Sequence, residues 1–352
     1  MAFELKVLIN IYFFICIFNF TFKIDFLYFH RMKILMILTL TAISFIVNSQ
    51  DSLVEISNFG TNPGNIEMLV YSPNDLDKNL KPLVIALHGC SQHAKDMAEM
   101  TGWNKLAKQN NFIMVYPQQK YGNNPSLCFN WFKEQDFSGN DGATESIRQM
   151  IFNAIENYPI DKTRIYITGL SAGAAMSVAM LVNYPELFQA GASFAGGPYG
   201  LVKSNLSDGL KLMRGKMIIS HNDLMKSIST VNNKGIKEYP KLYVYHGDKD
   251  PIVNIQNAGW LIEQWIGLYE PEDISNLKTE KFAGNSLITK EIYRLKEGKE
   301  IVTFYKIQDL GHAIPIDPGK GDKQGGEVGV FAKDINFNSS YQVAWDFGLI
   351  KK

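Results

Sequence analysis

This sequence of 352 residues has only three cysteines and no excess of charge of either sign. Three cysteines cannot make a disulfide-dense small scaffold, and no cysteine–histidine cluster has the spacing of metal ligands. The 35 basic residues balance 35 acidic residues, which argues against a strongly basic nucleic-acid-binding protein and against electrostatic attachment to a membrane. A hydrophobic content of 46% with 20% charged residues excludes global disorder and is typical of a globular chain.

The first 50 residues differ from the rest and carry 9 of the 22 phenylalanines. An early apolar run of about 16 residues is short for a membrane span. The segment from 31 to 50 matches a secretory signal peptide. It begins with a basic start at 31–33, continues with an apolar stretch at 34–47 and ends in small polar residues at 48–50. We therefore expect Met32 to be the initiator, 32–50 to be the signal peptide and 1–31 to be a non-native upstream extension. The alternative is a membrane anchor.

Removal of this leader would change the cysteine count and the net charge. A mature chain of about 302 residues, starting near Asp51, would have lost two net positive charges and Cys16. The remaining pair, Cys90 and Cys128, favours a disulfide in an exported protein. Such a bridge would close a loop of about 39 residues, for which chain-entropy estimates give roughly 3–4 kcal/mol. The alternative is two unpaired, buried cysteines.

Strand-like and helix-like patterns alternate from residue 65 onward. Strands are predicted at 83–87, 112–116, 164–168, 242–245, 288–296 and 299–308. Helices are predicted at 95–110, 141–158, 172–184, 252–268 and 338–350. This alternation is typical of an α/β protein with a mainly parallel sheet covered by helices on both faces. Without repeats or linkers, we expect 51–352 to be a single domain in which 201–239, the least regular part, forms an insertion or cap.

The strand at 164–168 runs directly into Gly169-Leu170-Ser171-Ala172-Gly173. A G-x-S-x-G string between a strand and a helix is the context in which a serine sits on a strained turn, with its hydroxyl in a cleft. The two glycines fit because strand and helix backbones approach closely there. Ser171 is therefore predicted to be a nucleophile, and the alternative is a glycine-rich packing turn.

A serine nucleophile needs a base to take its proton and an acid to orient the base. In this fold class the acid and then the histidine follow the serine along the chain. His312 follows a late strand, and Gly311 is expected to permit close approach, whereas His246 at the end of a buried strand is expected to be structural. Asp248 and Asp250 are both candidates for the acid, and spacing alone does not separate them.

The oxyanion of the tetrahedral intermediate needs backbone donors. In such folds they come from the residue after the nucleophile, here Ala172, and from the loop after the third strand, here the loop that contains Cys90. Four aromatic side chains are candidates for lining a substrate pocket, although packing in the core is the alternative for at least half of them. They are Trp103, Phe129, Trp131 and Phe132.

Five strings together resemble the esterase family of polyhydroxybutyrate depolymerases, which also contains feruloyl and acetylxylan esterases. They are, in order, LHGCSQ at 87–92, YPQQ at 116–119, CFNWF at 128–132, RIYITGLSAGAAM at 164–176 and FAGG at 194–197. The resemblance implies an α/β-hydrolase fold and a secreted carboxylic ester hydrolase that needs no metal or other cofactor. The family pattern His-Gly-x-x-Asp-x-x-Val begins at His246 and so selects Asp250 over Asp248 as the acid.

The predicted reaction is ester hydrolysis through an acyl-enzyme. Ser171 attacks the carbonyl carbon, His312 carries the proton, and Asp250 orients His312. The backbone N–H groups of Cys90 and Ala172 hold the oxyanion. The alternative from another class is a catalytically dead binding protein on the same fold, for which a missing triad member would be the sign.

The CFNWF segment is more similar to the depolymerase branch of the family than to the feruloyl or acetylxylan branch. We therefore expect hydroxyalkanoate oligomers or polyesters as substrates, with esterified plant cell-wall polysaccharide as the alternative. No polymer-binding domain is recognisable after the catalytic region, which favours soluble or oligomeric esters at least as much as crystalline polymer. Nucleic acid and a stable membrane anchor are not expected, and the location is predicted to be extracellular or periplasmic.

Overall fold

A computed structural model describes residues 52–74, 79–204, 206–232, 238–270 and 274–350. The upstream extension and signal peptide predicted over 1–50 lie outside these residues, as do parts of the predicted insertion at 201–239. No helix in the described ranges combines the length and apolar character needed to cross a membrane.

Ten of the strands in the described ranges form one sheet, in the order β1-β2-β4-β3-β5-β6-β7-β10-β9-β8. Their bounds are β1 (Val54–Ile56), β2 (Glu67–Tyr71), β3 (Lys81–Leu87), β4 (Ile113–Gln118), β5 (Ile160–Leu170), β6 (Ala190–Phe194), β7 (Lys241–Gly247), β8 (Ile274–Lys281), β9 (Ile288–Leu295) and β10 (Glu300–Ile307). Six neighbouring strands in the middle of the sheet are mutually parallel: β4, β3, β5, β6, β7 and β10. The outer strands, β1 and β2 on one side and β9 and β8 on the other, pair in antiparallel fashion. Two short strands, β11 (Ile314–Ile316) and β12 (Ala332–Asp334), pair separately. The prediction of a mainly parallel sheet is confirmed.

Helices cover both faces of the sheet. They are α1 (Ala94–Thr101), α2 (Trp103–Asn110), α3 (Glu134–Phe137), α4 (Gly142–Asn157), α5 (Ala172–Asn183), α6 (Leu206–Met213), α7 (His221–Asn232), α8 (Gln256–Ile266) and α9 (Ser339–Asp346), with a 3₁₀ turn at Pro185–Leu187. Alternate residues of β3 point to opposite sides: Leu83 and Ile85 join a core with α4, α5 and α8, whereas Val84 joins a core with α1, α2 and α9. A strand buried on both faces needs an unbroken apolar run, and β3 has one.

The predicted helix at 95–110 is in fact two helices, because Gly102 breaks it. Gly102 has a left-handed backbone, with φ of 69°. A Cβ atom there would lie 2.7 Å from the backbone nitrogen of Gly326. The left-handed conformation favours glycine, and this close approach has no room for a side chain. The bend between α1 and α2 therefore comes from a contact with a distant segment.

Strand β4 continues past Pro117, where the sequence predicted its end. Its pairing with β3 stops at Val115, whereas its pairing with β2 continues to Gln118. Proline cannot donate to a strand ladder, so it is tolerated where one neighbouring strand has already ended.

Strand β6, which was not predicted, is made of small residues. Gly191 faces α5 so closely that a Cβ atom there would lie 2.5 Å from the side chain of Leu181. Small side chains here let α5 pack directly onto the sheet, which brings the turn before α5 close to the strand ends.

Candidate active site

The predicted site residues follow the carboxyl ends of parallel strands. Cys90 comes after β3, Ser171 after β5, Asp250 after β7 and His312 after β10. Parallel strands end at the same edge of a sheet, where sites of open α/β proteins gather. The topology therefore places these four residues, which are far apart in the sequence, at one edge of the sheet.

Ser171 lies on a sharp turn between β5 and α5. Its backbone has φ of 55° and ψ of −118°, a conformation that side-chain-bearing residues rarely adopt. The Ser171 N–H donates a 2.8 Å hydrogen bond to the carbonyl oxygen of Phe194, the last residue of β6. This bond holds the strained turn against the neighbouring strand. Ser171 is 8% exposed, so it is nearly buried but still reaches a cavity.

The two glycines of the turn are required by close backbone contacts. A Cβ atom at Gly169 would collide with the backbone of Gly173, one turn into α5. A Cβ atom at Gly173 would collide with the carbonyl oxygens of Leu87 and His88. The serine turn therefore packs against the loop after β3 with no side chain between them.

His312 and Asp250 form a buried pair. His312 Nδ1 lies 2.7 Å from Asp250 Oδ2, and the side chains are 6% and 0% exposed. Asp250 Oδ1 accepts two further hydrogen bonds, each 2.8 Å long, from the N–H groups of Ile252 and Val253. Because one carboxylate oxygen is held by the backbone, the other is fixed toward the imidazole.

The carboxyl of Asp250 is held in its ionised form. Burial alone would raise its pKa, but the hydrogen bond and charge of His312 and the two backbone N–H donors outweigh burial and lower that pKa below its usual value. An ionised carboxylate on Nδ1 keeps the proton on that nitrogen, which leaves Nε2 of His312 free to act as a base.

The loops that carry Asp250 and His312 are fastened to each other. Asp248 Oδ1 accepts a 2.7 Å hydrogen bond from the N–H of Asp309. A Cβ atom at Gly247 would collide with the carbonyl oxygen of Leu310. The glycine that permits close approach is therefore Gly247 and not Gly311, at which a Cβ atom would meet nothing within 4 Å. Asp248 joins the two loops and leaves the His312 contact to Asp250.

His246 is fully buried beside this pair. Its Nε2 lies 2.7 Å from the carbonyl oxygen of Val253 and 3.6 Å from Asp250 Oδ2. Because a carbonyl oxygen only accepts, Nε2 carries the proton, and Nδ1 has no partner in the described part of the chain. Burial lowers the pKa of His246, so the ring is neutral at pH 7 and anchors the turn that holds Asp250.

The loop after β3 is tied to the segment before α3 by a disulfide between Cys90 and Cys128. Next to it, the N–H of Ser91 donates a 2.7 Å hydrogen bond to the carbonyl oxygen of Ser126. Ser91 has φ of 59°, so the loop turns sharply immediately after Cys90. A covalent bond and a hydrogen bond thus fix the predicted oxyanion loop.

His88 holds the same loop through hydrogen bonds of its buried ring. The backbone N–H of Gln119 donates to His88 Nε2 at 3.1 Å, so Nδ1 carries the proton and donates to the carbonyl oxygen of Gly89 at 2.7 Å. Burial lowers the pKa of His88 to about 4, which keeps the ring neutral. This histidine links β3 and β4 just below Cys90, a role that the sequence did not indicate.

A cavity of about 450 Å³ opens beside Ser171. Cys90, Ala172 and the disulfide partner Cys128 line it together with the serine, so both predicted oxyanion donors border the same space. The rest of its wall is mostly apolar and comes mainly from α5, α6, the loop after β6 and the segment before α3. Those lining residues include Trp131, Phe132, Ala175, Pro198, Leu206, Gly209, Leu210, Leu212 and Met213.

Only two of the four predicted pocket aromatics line this cavity. Trp131 and Phe132 do. Phe129 is fully buried and packs against the ring of His88, with centroids 4.9 Å apart. Trp103 is buried at the start of α2, edge-on to Phe112. Both belong to the core, as expected when large aromatic side chains fill the space between helices and a sheet.

The sequence did not single out α6 as a wall of the cavity. It is held in place by Asn257 of α8, whose side-chain amide donates 3.0 Å hydrogen bonds to the carbonyl oxygens of Leu212 and Met213. Leu212 also packs into a small separate core with Phe132 and Trp260. The only local signal is the apolar spacing of Leu206, Leu210 and Met213, which the irregular surroundings obscure.

This fold and this serine turn define an α/β-hydrolase. Comparison with solved structures agrees: an acetyl xylan esterase from Aspergillus awamori superimposes with a TM-score of 0.69 at 25% identity, covering 85% of this chain and all of that chain. An esterase from Thermogutta terrifontis, at 11% identity, superimposes with a TM-score of 0.51 over 86% of this chain and 97% of that one. This second likeness concerns the fold alone.

Sequence comparison identifies the family. The model of the family described as Esterase PHB depolymerase matches residues 66–281. Poly(3-hydroxyalkanoate) depolymerase C from Paucimonas lemoignei is 38% identical over 304 residues, which are 85% of this chain and 70% of that protein. Feruloyl esterase B from Talaromyces funiculosus is 29% identical over 76% of this chain and 74% of that protein. A probable acetylxylan esterase A from Aspergillus clavatus is 27% identical over 76% of this chain and 85% of that protein.

The chain therefore belongs to the polyhydroxybutyrate depolymerase family of esterases, and it is a carboxylic ester hydrolase.

Proposed function

We propose that the protein hydrolyses the ester bonds of hydroxyalkanoate oligomers through an acyl-enzyme formed on Ser171. The observation that carries the proposal is the apolar cavity beside the strained serine, with the Asp250–His312 pair at the same edge of the sheet. None of the described residues that line this cavity is charged. It therefore suits a neutral, largely apolar group rather than a charged one.

In the proposed reaction, His312 Nε2 takes the hydroxyl proton as Ser171 Oγ bonds to the ester carbonyl carbon. The N–H groups of Cys90 and Ala172 stabilise the oxyanion. Collapse of this intermediate breaks the bond to the leaving alcohol, which receives the proton from His312. Water then attacks the acyl-enzyme by the same route, with His312 as base, and the carboxylic acid leaves.

Replacement of Ser171 by alanine tests the nucleophile. We expect kcat on a p-nitrophenyl ester to fall by about 10⁴-fold or more, since removing a triad nucleophile removes the covalent route. A fluorophosphonate probe should label the wild type and not this variant. The matched control is Ser177→Ala, because Ser177 is a buried serine in α5, the helix that follows Ser171, and its hydroxyl donates to the carbonyl oxygen of Gly173. Full activity in Ser171→Ala would refute the mechanism.

The substrate class is tested by comparing 3-hydroxybutyrate oligomers with feruloylated and acetylated xylan. The depolymerase relative is the most similar of those described above, at 38% identity, which favours the oligomers. Feruloyl or acetylxylan ester hydrolysis is the second candidate, because esterases with those names match at 29% and 27% identity. If kcat/KM were higher on feruloylated or acetylated xylan than on the oligomers, hydrolysis of xylan esters would become the first candidate and hydrolysis of hydroxyalkanoate oligomers the second.

We further infer that the enzyme is exported. The Cys90–Cys128 disulfide supports this inference, since such bonds persist in oxidising compartments, and the signal-peptide pattern at 32–50 points the same way. Amino-terminal sequencing of protein recovered from the medium or periplasm should give a start near Asp51. Recovery of the protein only from the cytosol would contradict export.

A further inference from the structure

Gly209 lies in the middle of α6, where nothing in the backbone calls for glycine. It has no left-handed φ, and a Cβ atom there would come no closer than 3.5 Å to the ring of Trp131, an ordinary van der Waals contact. Glycine inside a helix is less favourable than alanine by about 1 kcal/mol. Alanine would fit, whereas any longer side chain would meet Trp131 and Phe132.

This contact lies in the wall of the cavity beside Ser171. Gly209 is buried and lines the cavity next to Trp131 and Phe132, which lie at contact distance from its Cβ position. Its helix neighbours Leu206 and Leu210, also in the cavity wall, are 57% and 39% exposed. These leucines present apolar surface that a bound apolar group would cover.

The lining of the cavity fits the acyl side of the scissile bond. Cys90 and Ala172, the two proposed oxyanion donors, belong to it, and His312 is not among the described residues that line it. The leaving oxygen must face His312 to receive its proton. The group that fills the cavity is therefore the one that remains bonded to Ser171.

We propose that Gly209 sets the length of acyl chain that the enzyme accepts, and that the cavity takes acyl groups longer than acetyl. This inference rests on the proposed function, since it takes Ser171 as the acylated residue. A side chain larger than that of alanine at position 209 would press on Trp131, which lines the cavity, and would push that ring into the cavity and shorten it.

The test measures kcat/KM of Gly209→Leu on p-nitrophenyl esters of acetate, butyrate, hexanoate and octanoate. We expect the octanoate-to-acetate ratio to fall at least about tenfold, because a few methylene groups lost from an apolar pocket have an effect of that size. Gly209→Ala should change the ratio much less. Lys211→Leu adds the same side chain on the exposed side of α6 and should leave the ratio unchanged.

Leu210→Trp provides a second variant in case Gly209→Leu does not fold, since Leu210 is partly exposed and can be enlarged without disturbing the core. It should lower the same ratio. An equal loss on all four esters, or an unchanged ratio in both variants, would overturn the assignment of Gly209. Failure of the proposed function is distinguished by Ser171→Ala, which would then retain activity on every ester.

Discussion

His246 lies one hydrogen bond away from the turn that holds Asp250. Its Nε2–H binds the carbonyl oxygen of Val253, and the N–H of Val253 binds Asp250. Because the ring binds this carbonyl oxygen, it restricts the movement of the turn, although His246 itself does not line the cavity beside Ser171 in the described part of the chain. We therefore expect His246 to act as a positioning residue, through Asp250, in the proposed reaction.

Replacement of His246 by phenylalanine should lower kcat about tenfold with little change in KM, because the ring volume is kept and one hydrogen bond of about 1–1.5 kcal/mol is lost. His246→Gln, which retains an N–H donor, should recover most of the loss. The two variants would be compared on a p-nitrophenyl ester.

A double-variant cycle separates this role from a general loss of stability. When Asp250 is already asparagine, His246→Phe should cause little further loss of kcat, since the two residues act along one route. If the two losses simply multiply, His246 acts on kcat independently of Asp250, and the positioning role is refuted.

At the scale of elements, the disulfide joins the loop after β3 to the segment before α3, and both border the cavity. The bridged cysteines are 38 positions apart, so the chain-entropy estimate of its stabilisation is about 4 kcal/mol.

The double variant Cys90→Ser, Cys128→Ser should therefore unfold at lower urea concentration. It should also lose kcat at temperatures where it is still folded, because the loop that carries a proposed oxyanion donor is no longer held. Circular dichroism in urea and ester hydrolysis at 15 °C measure the two effects. Unchanged kcat in the folded double variant would show that the hydrogen bond at Ser91 alone suffices to hold the loop.

Elements whose pattern is local were predicted, and those that depend on distant contacts were not. The buried run of β3 and the strand–turn–helix around Ser171 are visible in the sequence. The break at Gly102 depends on the backbone at Gly326, and β6 has small residues in place of β-branched ones. Whether Phe129 faces the cavity or the core is decided by its contact with His88, which no spacing in the chain reveals.

The two buried neutral histidines make the stability of the whole molecule depend on pH. Burial lowers the pKa of His88 to about 4 and that of His246 below its usual value. The unfolded chain binds these protons near pH 6.5, whereas the folded chain does not. Acidification below pH 6.5 therefore favours unfolding, until the folded-state pKa values are reached.

For His88 alone, we expect the free energy of unfolding to fall by about 2 kcal/mol between pH 7 and pH 5. Urea titrations of the unreduced protein at both pH values measure this loss. His88→Gln should be less stable at pH 7, but its stability should change less between the two pH values. An equal pH dependence in the variant would mean that other groups account for the loss.

The order of the proposed site residues along the chain also matters while the protein is being made. The loop with Cys90 emerges first, Ser171 and Asp250 follow, and His312 comes after the last parallel strand. Because the chain is synthesised from its amino terminus, Ser171 is made long before His312, the base that is proposed to activate it. The growing chain should remain inert toward esters until β10 has joined the sheet, so that hydrolysis reports a finished fold.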